Sequence, residues 1–360
     1  MTFENRYSLV EQWLHRLAFS TTGIQLELDE LETRLYRDDL AGCRVDRPVF
    51  ITSLPRAGTT LILDLIAGLD GWATHRYRDM PFVLLPLLWA SFSGRFHKTD
   101  TPRERAHGDG MLVSVDSPEA FEEMIWRALC PEQYAADRIL PWPAESSAGQ
   151  AGYFQGHIRK VVALARKHAG RMPRYVSKNN FNIARIRWLS HACHSAQFVV
   201  PFRDPLQHAA SLLNQHRHFW KIHRQDAFAR RYMLGVGHLD FGANHRPVDF
   251  GGWLARSSHR DAEGLAYWLE YWIAAYSDLL NIDSGRICFL SFESVCSKPE
   301  SALTTLADVL AIGDARALLA RAKDIRGVKP HEISLGEVDD RLLKESTAVF
   351  ERLLSRAMPK

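Results

Sequence analysis

Apolar residues follow two rhythms along this chain. Short runs rich in β-branched and aromatic residues, Val49 to Ser53, Arg174 to Val176, Ala196 to Pro201 and Arg286 to Ser291, have the length and composition of buried strands. Between them apolar positions recur at helical spacing. This predicts helix, in one or two pieces, over residues 1–44, and again through Leu65, Ile66 and Leu69. Further helices are predicted over Tyr153 to His168, Asn182 to Leu189, Pro205 to Phe219, Asp261 to Leu280, Leu303 to Leu310 and Arg341 to Ser355. Ser117-Pro118-Glu119-Ala120 reads as a helix cap followed by proline in the first turn. Three stretches lack either rhythm: 92–117, 137–152 and the segment 233–258, which holds five glycines. Helix and strand alternate with no hairpin signal, so a parallel sheet covered on both faces is expected.

The first strand ends in Thr52-Ser53-Leu54-Pro55-Arg56-Ala57-Gly58-Thr59-Thr60-Leu61 and feeds an apolar helix. Strand, tight turn and helix start in that order build an anion cradle, in which backbone N–H groups and the helix N-terminus supply partial positive charge. Arg56 adds a cation, and Thr59 and Thr60 add hydroxyl donors. A Walker A loop needs glycine where Ser53 stands and lysine where Thr59 stands. Phosphate binding without ordinary ATPase chemistry is therefore expected. The fold expected is α/β, a P-loop NTPase-like three-layer fold with a central parallel sheet and helical insertions. It divides into an N-terminal helical extension at 1–45, a main domain at 46–315 with inserted loops at 92–117, 137–152 and 233–258, and a C-terminal helical segment at 316–360 packed on the same domain.

Composition narrows the partners. The net charge is only +3, yet fifteen Lys or Arg and two acids, Asp204 and Asp226, lie between His157 and Arg231. That field suits a compact polyphosphorylated nucleotide, the alternative being an ordinary solvated face. No RNP-type or helix-turn-helix signal accompanies it, so nucleic acid is not expected. Five cysteines, scattered and without a CxxC pair, fit a reducing compartment and argue against a disulfide or zinc scaffold. The opening MTFENRYS has no secretory pattern, so a cytoplasmic location is expected. The most apolar window, Met80 to Ala90, is broken by Pro81 and Pro86 and is too short to span a bilayer; it could form a lid or an acceptor groove.

Other strand exits also carry chemistry. Phe202-Arg203-Asp204-Pro205 opens a helix on which Ser211 lies nearly two turns in; Arg203 either binds an anion with Ser211 or pairs with Asp204. Ser177-Lys178-Asn179-Asn180 places a lysine where charge on a reacting centre could be neutralised, or where it is simply solvated. Proton acceptors are offered by His75-Arg76-Tyr77-Arg78-Asp79. Asp79 reads as a general base or as the salt-bridge partner of Arg78, with His75, His97 and His107 as rivals. The histidine groupings lack metal-ligand spacing, so no metal is expected.

Taken together, PRAGTT at Pro55 to Thr60, SKNN at Ser177 to Asn180, and FRDP at Phe202 to Pro205 with Ser211 resemble the sulfotransferases that use 3′-phosphoadenosine 5′-phosphosulfate (PAPS). The resemblance spans about Val49 to Ala311 and points to the broad, mostly bacterial group related to tyrosylprotein sulfotransferases. It implies that Pro55, Arg56, Ala57, Gly58, Thr59 and Thr60 hold the 5′-phosphosulfate and that Arg203 and Ser211 hold the 3′-phosphate. It also implies that Lys178 lies near the transferred sulfuryl group. Asp79 stands in for the usual glutamate base, one methylene shorter, and Phe292-Glu293 resembles a run whose carboxylate is structural. Arg326-Gly327 faintly resembles a C-terminal element that has a lysine between them. The implied reaction is direct in-line transfer to an acceptor hydroxyl, with a glycan, a lipid or a phenol or other small molecule as the candidate acceptors. The apolar segment Phe82 to Trp89 and Trp253, Trp268 and Trp272 are candidates to line the acceptor site. A kinase or NTPase and a noncatalytic nucleotide-binding protein remain the alternatives.

Overall fold

A computed structural model describes residues 9–93, 103–104, 112–114, 116–145, 147–167, 169, 171–327, 329–333 and 338–358. Strands β1 (Val49–Ile51), β2 (Trp72–Ala73), β3 (Arg174–Lys178), β4 (Gln197–Phe202) and β5 (Ile287–Ser291) form one parallel sheet in the order β2-β3-β1-β4-β5. The helices that position the site are α1 (Thr59–Ala67), α2 (Glu122–Leu129), α3 (Ala148–Arg166), α4 (Pro205–Gln225), α5 (Leu265–Leu280) and α6 (Pro299–Leu310). Alternation along each strand sorts the core. Val49, Ile51, Val176 and Val199 pack with Ile62, Leu63 and Ile66 of α1 and with Leu303 and Leu306 of α6. Phe50, Tyr175 and Phe198 point the other way, into a larger core with Trp126, Phe154 and Trp188. Both faces are therefore apolar, which is why the strands read as continuous runs.

Some elements differ from the sequence expectation. The described part of the N-terminal region is four short helices, Leu9–Ser20, Thr22–Glu27, Asp29–Leu35 and Arg37–Leu40. The first stops where the Thr21 hydroxyl donates back to the Leu17 carbonyl at 2.8 Å, a local bond that competes with helix continuation. The proline at 118 does not open a helix. Its segment is a strap, with Arg76 bridged to Pro118 and Glu119 N–H donating to the His75 carbonyl at 3.0 Å, and α2 starts only at Glu122. Inside 92–117 an antiparallel pair, Arg103–Glu104 with Leu112–Val113, was not anticipated. Among the described residues no helix is long and apolar enough to cross a membrane.

The P-loop NTPase-like expectation is corrected. The chain has an α/β fold with a central parallel sheet and helical insertions, but its first loop is not built as an NTPase loop. Ser53, at the first Walker glycine, is buried and donates to the Pro201 carbonyl at 2.6 Å. Thr59, at the Walker lysine, is buried and donates to Asn180 Oδ1 at 3.3 Å. Both positions are used to tie β1 to its neighbours.

Candidate functional site

The loop after β1 turns through two left-handed residues, Arg56 (φ 72°) and Gly58 (φ 92°). A Cβ at Gly58 would lie 2.5 Å from the Phe292 ring, so this position needs glycine for both conformation and space. Two groups from the β4–α4 junction hold the loop from below. Arg203 donates through Nη1 to the Arg56 carbonyl at 3.2 Å, and His208 Nε2–H donates to the Pro55 carbonyl at 2.8 Å. The Trp272 indole N–H donates to His208 Nδ1 at 3.2 Å, which fixes that tautomer. Burial and then the charge of Arg203 push His208 down to about 3, so it is neutral.

Arg203 is 6% exposed, with its guanidinium over the Phe292 ring at 5.2 Å, and its Nε is buried with no hydrogen-bond partner. Burial holds its pKa below the usual guanidinium range, partly opposed by Glu293. Asp204 does not serve as its ion-pair partner. It caps α4, accepting Gln207 N–H at 2.9 Å, while its own N–H goes to Glu293 Oε1 at 2.9 Å. Glu293 also accepts from Ser291 Oγ at 3.1 Å, which makes it a structural carboxylate. Ser211 is buried on α4, one turn beyond His208. His331, absent from the sequence reading, is clipped over the start of α4 by two bonds to Gln207, at 2.7 and 3.2 Å, and feels the charges of Arg203 and Arg56.

Lys178 ends β3 in register with Ile51 of β1, so it leaves the sheet beside the loop. The next two residues lock the junction. Thr52 Oγ1 donates to the Asn180 carbonyl at 3.1 Å, and Asn179 Nδ2 donates to Glu123 Oε2 at 2.8 Å. The Asn180 side chain, which receives Thr59, also bonds the carboxyl of Asp240, and that carboxyl feels Lys178. Burial pushes Asp240 up to about 7, with Lys178 opposing. Its sequence signal was weak: one acid between Leu239 and Phe241 in a glycine-rich segment.

Asp79 lies beyond β2, at the outer end of the same sheet edge. Arg78 pairs with Asp116, so the salt bridge weighed for Asp79 is made elsewhere. Asp79 Oδ2 instead takes the Arg76 N–H at 2.9 Å and sits 3.1 Å from His75 Nδ1. His75 is buried, with Nε2 3.0 Å from His157 Nε2. Both its nitrogens are committed, which disfavours it as the group facing an acceptor. The Asp79 charge reaches Tyr175 on β3, whose hydroxyl donates to Glu122 Oε1 at 2.6 Å. His97 and His107 lie outside the described residues.

Residues 48–239, more than half of the chain and including both the β1 loop and the β4–α4 junction, match the sulfotransferase family Sulfotransfer_3. The chain belongs to the sulfotransferase family. Solved sulfotransferase structures match this chain at low identity. Sulfotransferase STF9 from Mycobacterium avium is 13% identical, with 91% of this chain and 82% of that one covered and a TM-score of 0.49. Sulfotransferase STF1 from Mycobacterium tuberculosis H37Rv is also 13% identical, with 91% and 81% covered and a TM-score of 0.41. The sulfotransferase domain from the curacin biosynthetic pathway is 12% identical, with 88% and 100% covered and a TM-score of 0.38. No individually curated protein matches in sequence. The family assigns this α/β architecture to the sulfotransferase fold, completing the correction of the NTPase-like expectation, and the activity is of the sulfotransferase type.

In this sulfotransferase the structure brings the Arg56 loop and Arg203 into direct contact, and Asn180 links Thr59 to the Asp240 that Lys178 faces. Asp79 stands further out. The tryptophans considered for the acceptor site are core residues: Trp268 and Trp272 are fully buried on α5, and Trp253 donates its N–H to the Val248 carbonyl at 2.8 Å. A cavity of about 380 Å³, lined in part by Arg138, His245, Leu254 and Tyr267, lies behind Asp240 instead, since His245 joins the Asp240 carbonyl at 2.6 Å to the Tyr267 hydroxyl at 2.8 Å. Among the described residues no cluster of His, Cys, Asp or Glu could hold a metal ion.

Proposed function

We propose that this sulfotransferase moves the sulfuryl group of PAPS to an acceptor hydroxyl by direct in-line displacement. The observation that carries this reading is the bond from Arg203 to the Arg56 carbonyl, with a buried and unpartnered Nε on the same guanidinium. It fuses the two elements expected to hold the 5′ and 3′ phosphates into one cationic surface.

Pro55 to Thr60 hold the 5′-phosphosulfate through loop N–H groups, that of Thr59 included, the Arg56 cation and the Thr60 hydroxyl. Arg203 and Ser211 hold the 3′-phosphate. Lys178 and Arg56 stabilise charge growing on the sulfuryl oxygens and on the departing phosphate, and Asp79 takes the acceptor's proton. Fixed cations and backbone dipoles do this neutralising, so no metal is invoked. The acceptor is a glycan, a lipid or a phenol or other small molecule bearing a hydroxyl.

Calorimetry with 3′-phosphoadenosine 5′-phosphate (PAP) and with AMP tests the nucleotide assignment. Charge-assisted hydrogen bonds of roughly 1.5–3 kcal/mol predict at least about tenfold tighter binding of PAP. Equal affinities would overturn the 3′-phosphate site. In the same series Arg56→Ala should nearly abolish transfer from labelled PAPS while Arg56→Lys keeps part of it, because lysine retains the charge but not the forked geometry.

A further inference from the structure

Behind Asp79 lie two buried imidazoles that the proposed chemistry leaves without a task. His75 Nδ1 is 3.1 Å from Asp79 Oδ2, and His75 Nε2 is 3.0 Å from His157 Nε2. Their side chains are shielded, and the rings are stacked at 5.1 Å with an interplanar angle of 28°. On the far side Lys160 is held by Asp29 at 2.6 Å and by Glu32 at 2.8 Å. The row therefore runs Asp79, His75, His157, Lys160, with only its first member near the strand exits.

The proton positions follow from what each nitrogen touches. Burial, with added repulsion from His75 and Lys160, pushes His157 well below the usual histidine range, so it is neutral and carries one ring proton. Its Nδ1 is buried with no hydrogen-bond partner. An orphaned buried N–H is rarer and costlier than an unused acceptor lone pair, so the proton belongs on Nε2, where His75 can receive it. His75 Nε2 is then an acceptor, and the His75 proton must sit on Nδ1, pointing at Asp79 Oδ2. Oδ2 also takes the Arg76 N–H at 2.9 Å, whereas Oδ1 receives no hydrogen bond from any described residue.

We infer that His157 is a positioning residue: by donating to His75 Nε2 it locks His75 as the Nδ1–H tautomer, which anchors the Asp79 carboxyl group by Oδ2 and leaves Oδ1 open. Without that lock His75 can place its proton on Nε2 and turn a lone pair toward Oδ2, and the two acceptors repel. The inference rests on Asp79 being the proton acceptor proposed above. It differs from that reading in what it asks of the resting protein.

Nitrogen-15 NMR of the histidine-labelled full chain, without donor or acceptor, reads the tautomers directly. The expected spectrum at pH 7.5 shows neutral His75 protonated on Nδ1 and neutral His157 protonated on Nε2. His75 found as the Nε2–H form or as imidazolium overturns the inference. Kinetics supply the second readout. His157→Gln keeps an amide N–H near the Nε2 position and should hold kcat within about threefold, while His157→Leu fills the space without a donor and should lose about tenfold in kcat with PAP affinity unchanged. At position 75 the order reverses: Asn, with its donor near Nδ1, should exceed Gln. Equal kcat for His157→Leu and the parent overturns the inference. A parent that transfers no sulfuryl group overturns the function proposed above, and the tautomers still decide this point.

Discussion

The Asp240 carboxyl bonds the Asn180 amide and faces the Lys178 ammonium, and Glu123 adds like charge nearby. Burial, the largest influence, pushes its pKa up to about 7, so its proton leaves within the physiological range. Below that value Asp240 is neutral and contributes no negative charge opposite Lys178. Above it the carboxylate offsets Lys178 and adds negative charge beside the place proposed for the sulfuryl group. Binding of PAP should therefore weaken as pH rises from 6 to 8 by several-fold more in the parent than in Asp240→Asn, on the order of 1 kcal/mol. Taking the ratio of parent to variant removes the titration of the nucleotide's own phosphates, and a ratio independent of pH would detach Asp240 from the site. The same raised carboxyl lowers folding stability as pH climbs from about 4 toward 7, because the unfolded chain gives up this proton first.

At the scale of elements, the start of α2 matters more than its sequence suggests. Glu122 and Glu123 are both buried, each fully engaged: Glu122 with Tyr175 and with Asn182 Nδ2 at 2.8 Å, and Glu123 with Asn179, Tyr134 and both terminal nitrogens of Arg185 at 2.9 and 3.0 Å. The Arg185 guanidinium lies over Trp142 at 4.1 Å. This acidic pair is the floor beneath the turn that carries Lys178 and Asn180. Glu123→Ala leaves the Arg185 charge buried and should cost about 3–5 kcal/mol, seen as a fall in the urea midpoint. Loss of less than about 1 kcal/mol would mean that the turn is held by other contacts. The strand exits were legible because each is an apolar run ending abruptly in a polar residue, and a parallel sheet must bring such ends to one edge. The floor was not. Charged residues at the head of an amphipathic helix read as solvated, and only the tertiary structure reveals that Asn179, Asn182 and Arg185 reach them. Trp268 and Trp272 failed in the opposite sense: aromatic residues were weighed as ligand surface where α5 needed core.

Across the whole molecule, the carboxyl ends of β2, β3, β1 and β4 set Asp79, Lys178, Arg56 and Arg203 along one edge, although these residues are scattered between positions 56 and 203 of the chain. Parallel strands require a crossover between neighbours, so the proposed site is assembled from segments that meet only when the sheet is complete. His331 extends the same edge from still further along, through Gln207 at the head of α4. A nucleotide that bridges these segments binds the folded chain and has no counterpart in the unfolded one, so it should stabilise the entire fold. At a hundredfold excess over its dissociation constant PAP adds about 2.7 kcal/mol. With an unfolding entropy of roughly 2.1 cal/mol/K per residue, that raises Tm by about 3–4 °C in a chain of 360 residues. AMP at the same concentration should give a clearly smaller shift, because on the proposed assignment it engages the β1 loop without reaching Arg203 and Ser211. Arg203→Ala should remove the difference between the two nucleotides, bringing the PAP shift down to the AMP shift measured in the same variant. Equal shifts from the two nucleotides in the parent would show that the β4–α4 junction contributes nothing to binding, and Arg203 would then serve only to hold the Arg56 carbonyl in place.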